Sequence, residues 1–417
     1  MKTKTILTLL LIAVAISAQA QQKKVVEQPP AITFTIEGKI KGLIPGDTLT
    51  FERITMPGFN RSFAFDVIVE KQDKFTYNDT HEHTEYYIMT YKPIRKETVH
   101  SDRAGLTMLI QDGTTRLSGT ASQIYYCKLE GGLYDNESLQ KALQLENSLG
   151  KERAAFSQLI EEANVAKDTV KTKEYYDKFN SFHFDNKEDF QKLSILKNEF
   201  YDKFPSSEHT IIDALQRVNS APFEKIKTAY EKMNLKARES YFGKILEKEI
   251  DKITALQSGK KAPDFRLIGL NGKEISLKDC AGSFVLIYHW GLCPGSLMID
   301  KEVIDLHNKY KEHLIIIGIT DKIDYIKSIY ENISPNSTLM NIELKPVLKN
   351  MLAHPWFDAE KTNGNEIIED DYAFGGLPFF VFISPDGKII ARDFHKAFYA
   401  AKEKMEAEFS NREIIND

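Results

Sequence analysis

An apolar run that ends in a cysteine-containing turn constrains the fold of this chain more than any other feature. Ser283 to His289 has the length and composition of a buried strand, and helical periodicity follows from Cys293 to Tyr310. A strand followed directly by a helix is typical of α/β proteins, because a helix usually carries the chain from one parallel strand to the next. This stretch therefore predicts an open sheet with helices on both faces.

The elements that follow extend the same pattern. A second apolar strand runs from Leu314 to Ile319, and a short helix follows from Tyr325 to Ile333. A hairpin comes next, with strands from Phe379 to Ile383 and from Lys388 to Ala391, and a charged helix runs from His395 to Phe409. The predicted order is βαβα followed by ββα. Buried strands that alternate with helices in this way indicate a C-terminal α/β domain.

Two regions of different character precede this domain, so the chain of 417 residues is predicted to be multidomain. Residues 31–126 contain short β-branched and aromatic runs separated by turn residues, which predicts an all-β, sandwich-like N-terminal domain of antiparallel strands. In residues 136–256 glycine and proline nearly vanish, and apolar residues recur at three- and four-residue spacing. This pattern predicts a helical linker segment between the two domains.

The first 20 residues have the features of a secretory signal peptide. Lys2 and Lys4 precede the apolar run from Ile6 to Ile16, and Ala18-Gln19-Ala20 supplies small residues at the cleavage positions. The run of about 11 apolar residues is too short to span a bilayer, which takes ~20. We therefore expect cleavage near Ala20, export to the periplasm or cell envelope, and no membrane span.

Charge and cysteine content exclude several classes of function. The 55 Lys and Arg residues are balanced by 60 Asp and Glu residues, which gives a net charge of −5, and no basic stripe of the kind that binds nucleic acid occurs. Three cysteines without zinc-ligand spacing predict neither a disulfide framework nor a zinc site. His81 and His83 lie in a charged stretch without a third ligand and are expected to be solvated, so we predict no metal and no cofactor. Nothing in the sequence indicates an oligomeric state.

Cys293 is predicted to lie between the end of the strand and the first turn of the helix. Pro294 follows it, and proline suits the first helical position. There the unpaired backbone N–H groups and the positive end of the helix dipole face the sulfur and stabilise the thiolate over the thiol. A thiolate at the carboxyl edge of an open α/β sheet is a nucleophile at the place where such sheets bind ligands. Cys293 is therefore the candidate catalytic residue.

Three motifs occur in the C-terminal region in a fixed order. They are a lead-in from Gly259 to Phe265, the turn from Trp290 to Ser296, and a proline loop with its hairpin from Gly376 to Lys388. In order and spacing they resemble the thioredoxin-like thiol-disulfide oxidoreductases and the peroxiredoxin-like family of alkyl hydroperoxide reductase and thiol-specific antioxidant. The resemblance covers residues 258–412 and implies a thioredoxin fold, with Pro378 cis beside Cys293 and the Leu377 backbone pairing with a substrate strand. The N-terminal domain more faintly resembles a β-rich domain of unknown function found before such modules in exported bacterial proteins.

The sequence departs from this family at the active site. Ser296 stands where the family has its second cysteine, and the resulting Cys-x-x-Ser motif cannot release a mixed disulfide by attack of a second thiol. The serine hydroxyl can still hydrogen-bond the thiolate. Leu292 replaces the family's tryptophan before the cysteine, Ile287 stands where thioredoxins bury an acid for proton transfer, and Trp290 is a candidate platform beside the thiol. The resulting prediction is a site with Cys293, Ser296 and Pro378 as catalytic residues and Trp290, Leu292 and Leu377 as substrate contacts.

No second cysteine is predicted to complete the pair. Cys280 precedes the strand, whose ends lie about 20 Å apart, whereas a disulfide needs Cα atoms within ~7 Å. Cys280 is therefore expected to be a loop or half-buried thiol. Cys127 could approach only through packing between domains. His289 could act as a base near the thiol, although a histidine that ends a strand is more often structural.

The sequence thus favours an exported thiol-disulfide oxidoreductase that acts through mixed disulfides with protein thiols or a low-molecular-weight thiol, in redox homeostasis of the cell envelope. One alternative is a redox-inactive module that binds protein clients. Another is a thiol peroxidase with an antioxidant function. Peroxiredoxins need Thr or Ser three positions before the cysteine and Pro seven positions before it, and here those positions hold Trp290 and Leu286.

Overall fold

The part of the chain described by the computed structural model comprises residues 31–58, 63–82, 84–95, 99, 101–335, 337–339, 342–362 and 364–409. The predicted signal peptide and His83 lie outside these residues. The chain divides into two units, one of Met1–Ile54 with Ser62–Phe200 and the other of Thr55–Arg61 with Tyr201–Asp417. The division falls within the predicted helical segment and not at its ends. Among the described helices, none has both the length and the apolar character needed to cross a bilayer.

In the first unit the described strands form two four-stranded sheets, ordered β4-β1-β7-β8 and β3-β2-β5-β6. Their bounds are β1 (Ile32–Lys41), β2 (Thr48–Arg53), β3 (Ala64–Ile68), β4 (Lys74–His81), β5 (Glu85–Lys92), β6 (Leu106–Ile110), β7 (Gly113–Thr120) and β8 (Lys128–Glu130). Along β1 buried and more exposed residues alternate, as expected of a strand with one face on a core.

Aromatic side chains from both sheets contact one another in the first unit. The ring of Phe65 on β3 lies 6.4 Å from that of Phe34 on β1 and 4.8 Å from that of Tyr77 on β4. The strands are not all antiparallel as predicted, since β1 and β7 run parallel with Phe34 opposite Gly113. A parallel pair needs a long crossover connection, and the residues between β1 and β7, which include the strands of the second sheet, provide it.

His81 is buried at the end of β4, so the expectation that it is solvated is wrong. Its Nδ1 lies 3.0 Å from the Tyr87 hydroxyl, and its ring centroid lies 4.6 Å from that of Phe34. The hydrogen bond offsets the desolvation of the imidazole, and the aromatic neighbours supply its packing. These contacts give His81 a structural role in the first unit.

Helices follow the sheets of the first unit. They are α1 (Glu137–Val165), α2 (Thr169–Asp185) and α3 (Lys187–Lys203). The Asn136 side chain caps α1 by accepting hydrogen bonds from the N–H groups of Ser138 and Leu139. A small apolar core forms around Ala142, Leu149, Phe182 and Leu193. The predicted helical periodicity is therefore present, and it serves packing between these helices.

The second unit begins with four further helices, α4 (Glu208–Arg217), α5 (Phe223–Glu231), α6 (Leu235–Glu239) and α7 (Tyr241–Ala255). Ser207 caps α4 by accepting the N–H of Thr210. Ser240 caps α7 in the same way through the N–H of Gly243.

The remaining elements of the second unit surround a five-stranded sheet. Their bounds are β9 (Arg266–Ile268), β10 (Glu274–Ser276), β11 (Phe284–Trp290), α8 (Pro294–Tyr310), β12 (Leu314–Thr320), α9 (Ile323–Asn332), β13 (Thr338–Leu339), β14 (Ile342–Glu343), α10 (Leu344–Met351), β15 (Phe357–Glu360), α11 (Ile367–Asp371), β16 (Phe379–Ile383), β17 (Ile389–Asp393) and α12 (His395–Phe409). The central sheet has the order β15-β12-β11-β16-β17. β12 runs parallel to both β11 and β15, whereas β16 is antiparallel to β11 and β17.

This sheet matches the predicted βαβα and ββα order, with β15 as an edge strand that the sequence did not predict. All seven residues of β11 are buried, as the apolar run indicated. The side chains of Leu286, Tyr288 and Trp290 alternate along β11 and join one core with residues of α8 and α12. β11 ends beside the first turn of α8, which places the predicted catalytic cysteine at the carboxyl edge of the sheet.

Candidate active site

Cys293 occupies the junction between β11 and α8 that the sequence predicted. It is the residue before the first turn of α8, with Pro294 next to it at the helix start. The backbone N–H of Ser296 donates to Cys293 Sγ at 3.3 Å. The sulfur therefore takes the place of the oxygen acceptor that usually caps a helix, and the positive end of the helix dipole faces it. Cys293 is half-buried, whereas the other two cysteines are buried.

Ser296 lies directly beneath the sulfur and is fully buried. Its Oγ is 3.2 Å from Cys293 Sγ and accepts the Gly291 N–H at 3.3 Å. The Gly291 N–H occupies one lone pair of this oxygen, so the hydroxyl can still donate its proton in a hydrogen bond to a thiolate. The pair can thus stabilise a nucleophilic sulfur, but it contains no second thiol that could release a mixed disulfide.

The proline loop lies against the turn that carries the cysteine. The Leu377–Pro378 peptide bond is cis. A Cβ atom placed on Gly295 would lie 2.7 Å from Pro378 Cδ, and one on Gly291 would lie 2.8 Å from Leu377 Cδ1. The rigid proline ring cannot move away from a Cβ on Gly295, whereas the end of the Leu377 side chain can turn away from one on Gly291. Gly295 therefore lets the proline loop and the turn pack together beside Cys293.

The residues predicted to contact a substrate differ in their surroundings. Leu292 and Leu377 are half-buried at the edge of the site, and Leu292 packs against the apolar core. Trp290 has no exposed surface. Its indole N–H donates to Asp358 Oδ1 at 3.0 Å. Because both faces of β11 are covered, Trp290 packs in the core and offers no platform to a substrate beside the thiol.

His289 links β11 to the proline loop. Its Nδ1 lies 3.1 Å from the carbonyl oxygen of Gly376, and its ring stacks on Phe374 with centroids 4.7 Å apart. Its Nε2 lies 3.7 Å from Asp321 Oδ1. His289, together with the Lys361 ammonium, holds the pKa of Asp321 well below its usual range. These contacts point to a role in holding the loop.

The other two cysteines are buried and free. Burial raises the pKa of the Cys127 thiol to about 12. Burial and the nearby charge of Asp279 raise that of Cys280 to about 11. Cys280 ends a short 3-10 helix and donates to the Ser276 carbonyl at 3.5 Å, so it is fully buried and not the loop thiol expected from the sequence. Both thiols are therefore poor nucleophiles at neutral pH.

Sequence reasoning missed a buried ionic triad in the core that contains Trp290. The His354 ring lies between Asp300 and Asp358, with a nitrogen-to-oxygen distance of 2.9 Å on each side. Trp290 and Trp356 both donate indole N–H groups to Asp358. One signal was present in the sequence, since Asp300 falls on the apolar face of α8 between Leu297 and Val303 and an acid there requires a buried partner.

Comparison with known proteins identifies similar sequences. No protein-family model matches the chain. Thiol-disulfide oxidoreductase ResA from a strain of Bacillus cereus is 29% identical over 138 residues, which make up 33% of this chain and 69% of that protein. ResA from Bacillus anthracis is 29% identical over 136 residues, or 32% of this chain and 68% of that protein.

Solved structures also show similarity to part of the chain. The thioredoxin domain of a thiol-disulfide oxidoreductase from Bacteroides vulgatus matches 36% of this chain and 98% of its own, with 21% identity and a TM-score of 0.27. A thiol:disulfide interchange protein from Bacteroides sp. matches 36% of this chain and 90% of its own, with 22% identity and a TM-score of 0.27. The sequence relatives support placing the chain with the thioredoxin-like thiol-disulfide oxidoreductases.

Proposed function

We propose that the chain is an exported thiol-disulfide oxidoreductase with a monothiol site, in which Cys293 forms mixed disulfides with protein clients in the periplasm or cell envelope. The observation that carries this proposal is the environment of its sulfur. Cys293 is half-buried at a helix start, accepts the Ser296 N–H and lies 3.2 Å from the Ser296 hydroxyl, whereas Cys127 and Cys280 are buried. Each of these contacts favours a reactive thiolate at Cys293.

The reaction proceeds in steps that involve only thiols and disulfides. The Cys293 thiolate attacks one sulfur of a client disulfide; the client S–S bond breaks, a mixed disulfide forms, and the client's other sulfur leaves as a thiolate. An external thiolate then attacks the Cys293 sulfur and releases the reduced client. A second external thiolate regenerates Cys293, and the external thiol ends as its own disulfide. Ser296 takes no electrons in any step.

Leu377 and Pro378 are proposed to position the client. Leu377 is half-buried beside Gly291, and Pro378 packs on Gly295, so the loop flanks the path to the sulfur. An extended client segment whose backbone pairs with Leu377 would bring its disulfide to Cys293. Leu292, half-buried next to the cysteine, would contact the client's apolar side chains. Pairing of this kind is tolerant of sequence and suits a range of protein substrates.

Trapping tests this proposal. Wild-type protein is mixed with a small disulfide-bonded protein, quenched in acid and analysed by non-reducing mass spectrometry. We expect a long-lived adduct through Cys293, no adduct from Cys293→Ser, and an unchanged adduct from Cys280→Ser. No adduct from the wild type would reject the oxidoreductase function and favour a client-binding module. Rapid sulfenic acid formation at Cys293 with low hydrogen peroxide, without disulfide adducts, would instead show a thiol peroxidase.

Export is tested separately on the protein as made in its host. Fractionation of cells should place the protein in the periplasm or envelope, and N-terminal sequencing of the mature form should begin at Gln21. An exported compartment is oxidising and keeps client disulfides available to a monothiol site. An uncleaved protein in the cytosol would contradict the envelope role.

A further inference from the structure

The segment from Tyr372 to Gly376 leads directly into Leu377 and Pro378, the two residues proposed to position the client. Within it Ala373 has a φ of 48°. A residue with a Cβ rarely adopts this left-handed conformation, because its Cβ crowds the following carbonyl oxygen. Such a backbone persists only where the surrounding structure holds it. The contacts of this segment therefore show which residues set the path of the proline loop.

Arg392 on β17 holds this segment with two hydrogen bonds from its guanidinium group. Its Nε donates to the Tyr372 carbonyl at 2.7 Å, and its Nη2 donates to the Ala373 carbonyl. α11 ends at Asp371, so these two carbonyls follow the last turn of a helix and have no partner within that helix. The planar fork of a guanidinium fixes both acceptors at once, which a single donor cannot do. Arg392 therefore fixes the peptide groups on either side of Ala373.

The same guanidinium also contacts the residue that follows the proline. It lies over the ring of Phe379, with its central carbon 4.8 Å from the ring centroid. Phe379 begins β16, is buried, and lies opposite His289 on β11. Arg392 thus contacts the chain on both sides of the stretch from Phe374 to Pro378, so a change at Arg392 acts on both ends of the proline loop.

Arg392 carries its charge in a half-buried position. Burial lowers the pKa of its guanidinium to about 10, and the charge of Asp393 opposes this effect. The group is therefore still protonated at neutral pH and can donate from both nitrogens. Removing a charged group from water costs free energy unless its donors are paired. Here the two donors pair with carbonyls of the loop segment, so the contacts that offset this cost are the ones that hold the loop.

Leu377 lies between two further fixed points of the loop. His289 Nδ1 lies 3.1 Å from the Gly376 carbonyl oxygen, and Pro378 lies against Gly295 in the first turn of α8. Among the described residues, the backbone N–H and C=O of Leu377 form no hydrogen bond. A client strand that pairs with Leu377 needs these two groups unpaired. The contacts around Leu377 thus fix its place in the loop and leave its backbone groups for a client.

We propose that Arg392 is a positioning residue for protein clients, which holds the segment before the proline loop so that the Leu377 backbone meets an extended client chain beside Cys293. The inference rests on the thiol-disulfide function proposed above and deepens it. Arg392 acts through the loop, since its hydrogen bonds and its ring contact are all with loop residues. Its loss should therefore slow reaction with a protein disulfide, which must pair with the loop, and spare a small disulfide, which needs only the sulfur. A general loss of packing would not separate these two classes of substrate.

The test compares two disulfides with the full-length protein. Adduct formation through Cys293 is timed by non-reducing mass spectrometry, with a small disulfide-bonded protein and separately with hydroxyethyl disulfide. Arg392→Met keeps an unbranched side chain over Phe379 but removes the donors, so the rate with the protein should fall about tenfold and the rate with hydroxyethyl disulfide should be unchanged. Lys388→Met is the matched control, because it removes a positive charge from the same hairpin, where the ammonium donates to Asp386. Both of its rates should equal those of the wild type.

The outcomes separate this inference from the proposed function. If Arg392→Met reacts with the protein as fast as wild type, or slows equally with both disulfides, the positioning role is overturned and the oxidoreductase function stands. No adduct of the wild type with the protein would reject the oxidoreductase function, and the client role of Arg392 with it. If Arg392→Met fails to fold, as judged by circular dichroism, Arg392→Lys decides. Its ammonium keeps the charge but cannot reproduce the fork that holds both carbonyls, so the rate with the protein alone should fall.

Discussion

Restoring a second thiol at Ser296 is the most direct perturbation of this site. In wild type, Ser296 Oγ already lies 3.2 Å from Cys293 Sγ. A disulfide has its sulfur atoms ~2.05 Å apart, so the two side chains in Ser296→Cys must close by roughly 1 Å. The substitution weakens the acceptor for the Gly291 N–H, at a cost of about 1 kcal/mol. The protein should therefore fold, and the introduced thiol should be within reach of the sulfur that it must attack.

The magnitude of the effect follows from the change in molecularity. Release of a wild-type mixed disulfide depends on an external thiol at a concentration of ~1 mM, whereas the introduced thiol attacks from within the same site. Even a modest effective concentration of ~1 M would accelerate release about 10³-fold. The adduct with a small disulfide-bonded protein is quenched at timed intervals and quantified by non-reducing mass spectrometry. We expect its lifetime to collapse in Ser296→Cys and to persist in wild type.

Ser296→Ala is the matched control, because it removes the hydroxyl without adding a thiol. Its adduct should be released no faster than that of wild type. If the Ser296→Cys adduct lives as long as the wild-type adduct while the introduced thiol stays reduced, then the geometry of the Cys293–Ser296 pair does not support release. That result would refute the argument that the missing cysteine is what makes this site monothiol.

Three further predictions concern stability, packing and selectivity. The pKa of His354 is raised from 6.5 to about 9 in the folded protein, so protonated His354 contributes fully to the free energy of unfolding below pH 6.5, and this contribution is lost as pH rises through 9. Urea denaturation should show that the free energy of unfolding falls by about 3 kcal/mol over this window, and His354→Gln should abolish the fall. Gly295→Ala would place a methyl group 2.7 Å from Pro378 Cδ, so it should slow adduct formation at least about tenfold in stopped-flow assays, and an unchanged rate would contradict the packing of the loop on the turn. Cys127 and Cys280 are buried with pKa values raised to about 12 and 11, so intact-mass analysis after iodoacetamide at pH 8 should find one label in the native protein and three in urea, and extra native labels would show that the burial is wrong.

Most elements of the C-terminal sheet were predictable because hydrophobic pattern is a local property. β11, β12, β16 and α12 appear within about one or two residues of their predicted bounds. β15 was missed because it has four residues of mixed burial and no apolar run. A strand this short is defined by its hydrogen bonds to β12, and that pairing is set by tertiary structure.

The site shows the same limit at the level of single residues. Cys293 and Ser296 were found because strand, turn and helix are contiguous in sequence. Trp290 could be a platform beside the thiol or a core residue on the sequence alone, and only the folded chain, in which both faces of β11 are covered, shows that it packs in the core. Asp300 could be flagged as an acid on an apolar face, but its partner His354 lies 54 residues away and only the folded chain brings them together.

The triad joins the two elements that lead into and out of the turn with Cys293. His354 contacts Asp300 on α8, and it also contacts Asp358, which accepts the indole N–H of Trp290 at the end of β11. Removing one partner would leave an unpaired buried charge, at a cost of about 3–5 kcal/mol. Replacing the whole triad by apolar residues of similar size would avoid this cost, but it would also remove the hydrogen bonds that join the strand, the helix and Asp358 beside the site.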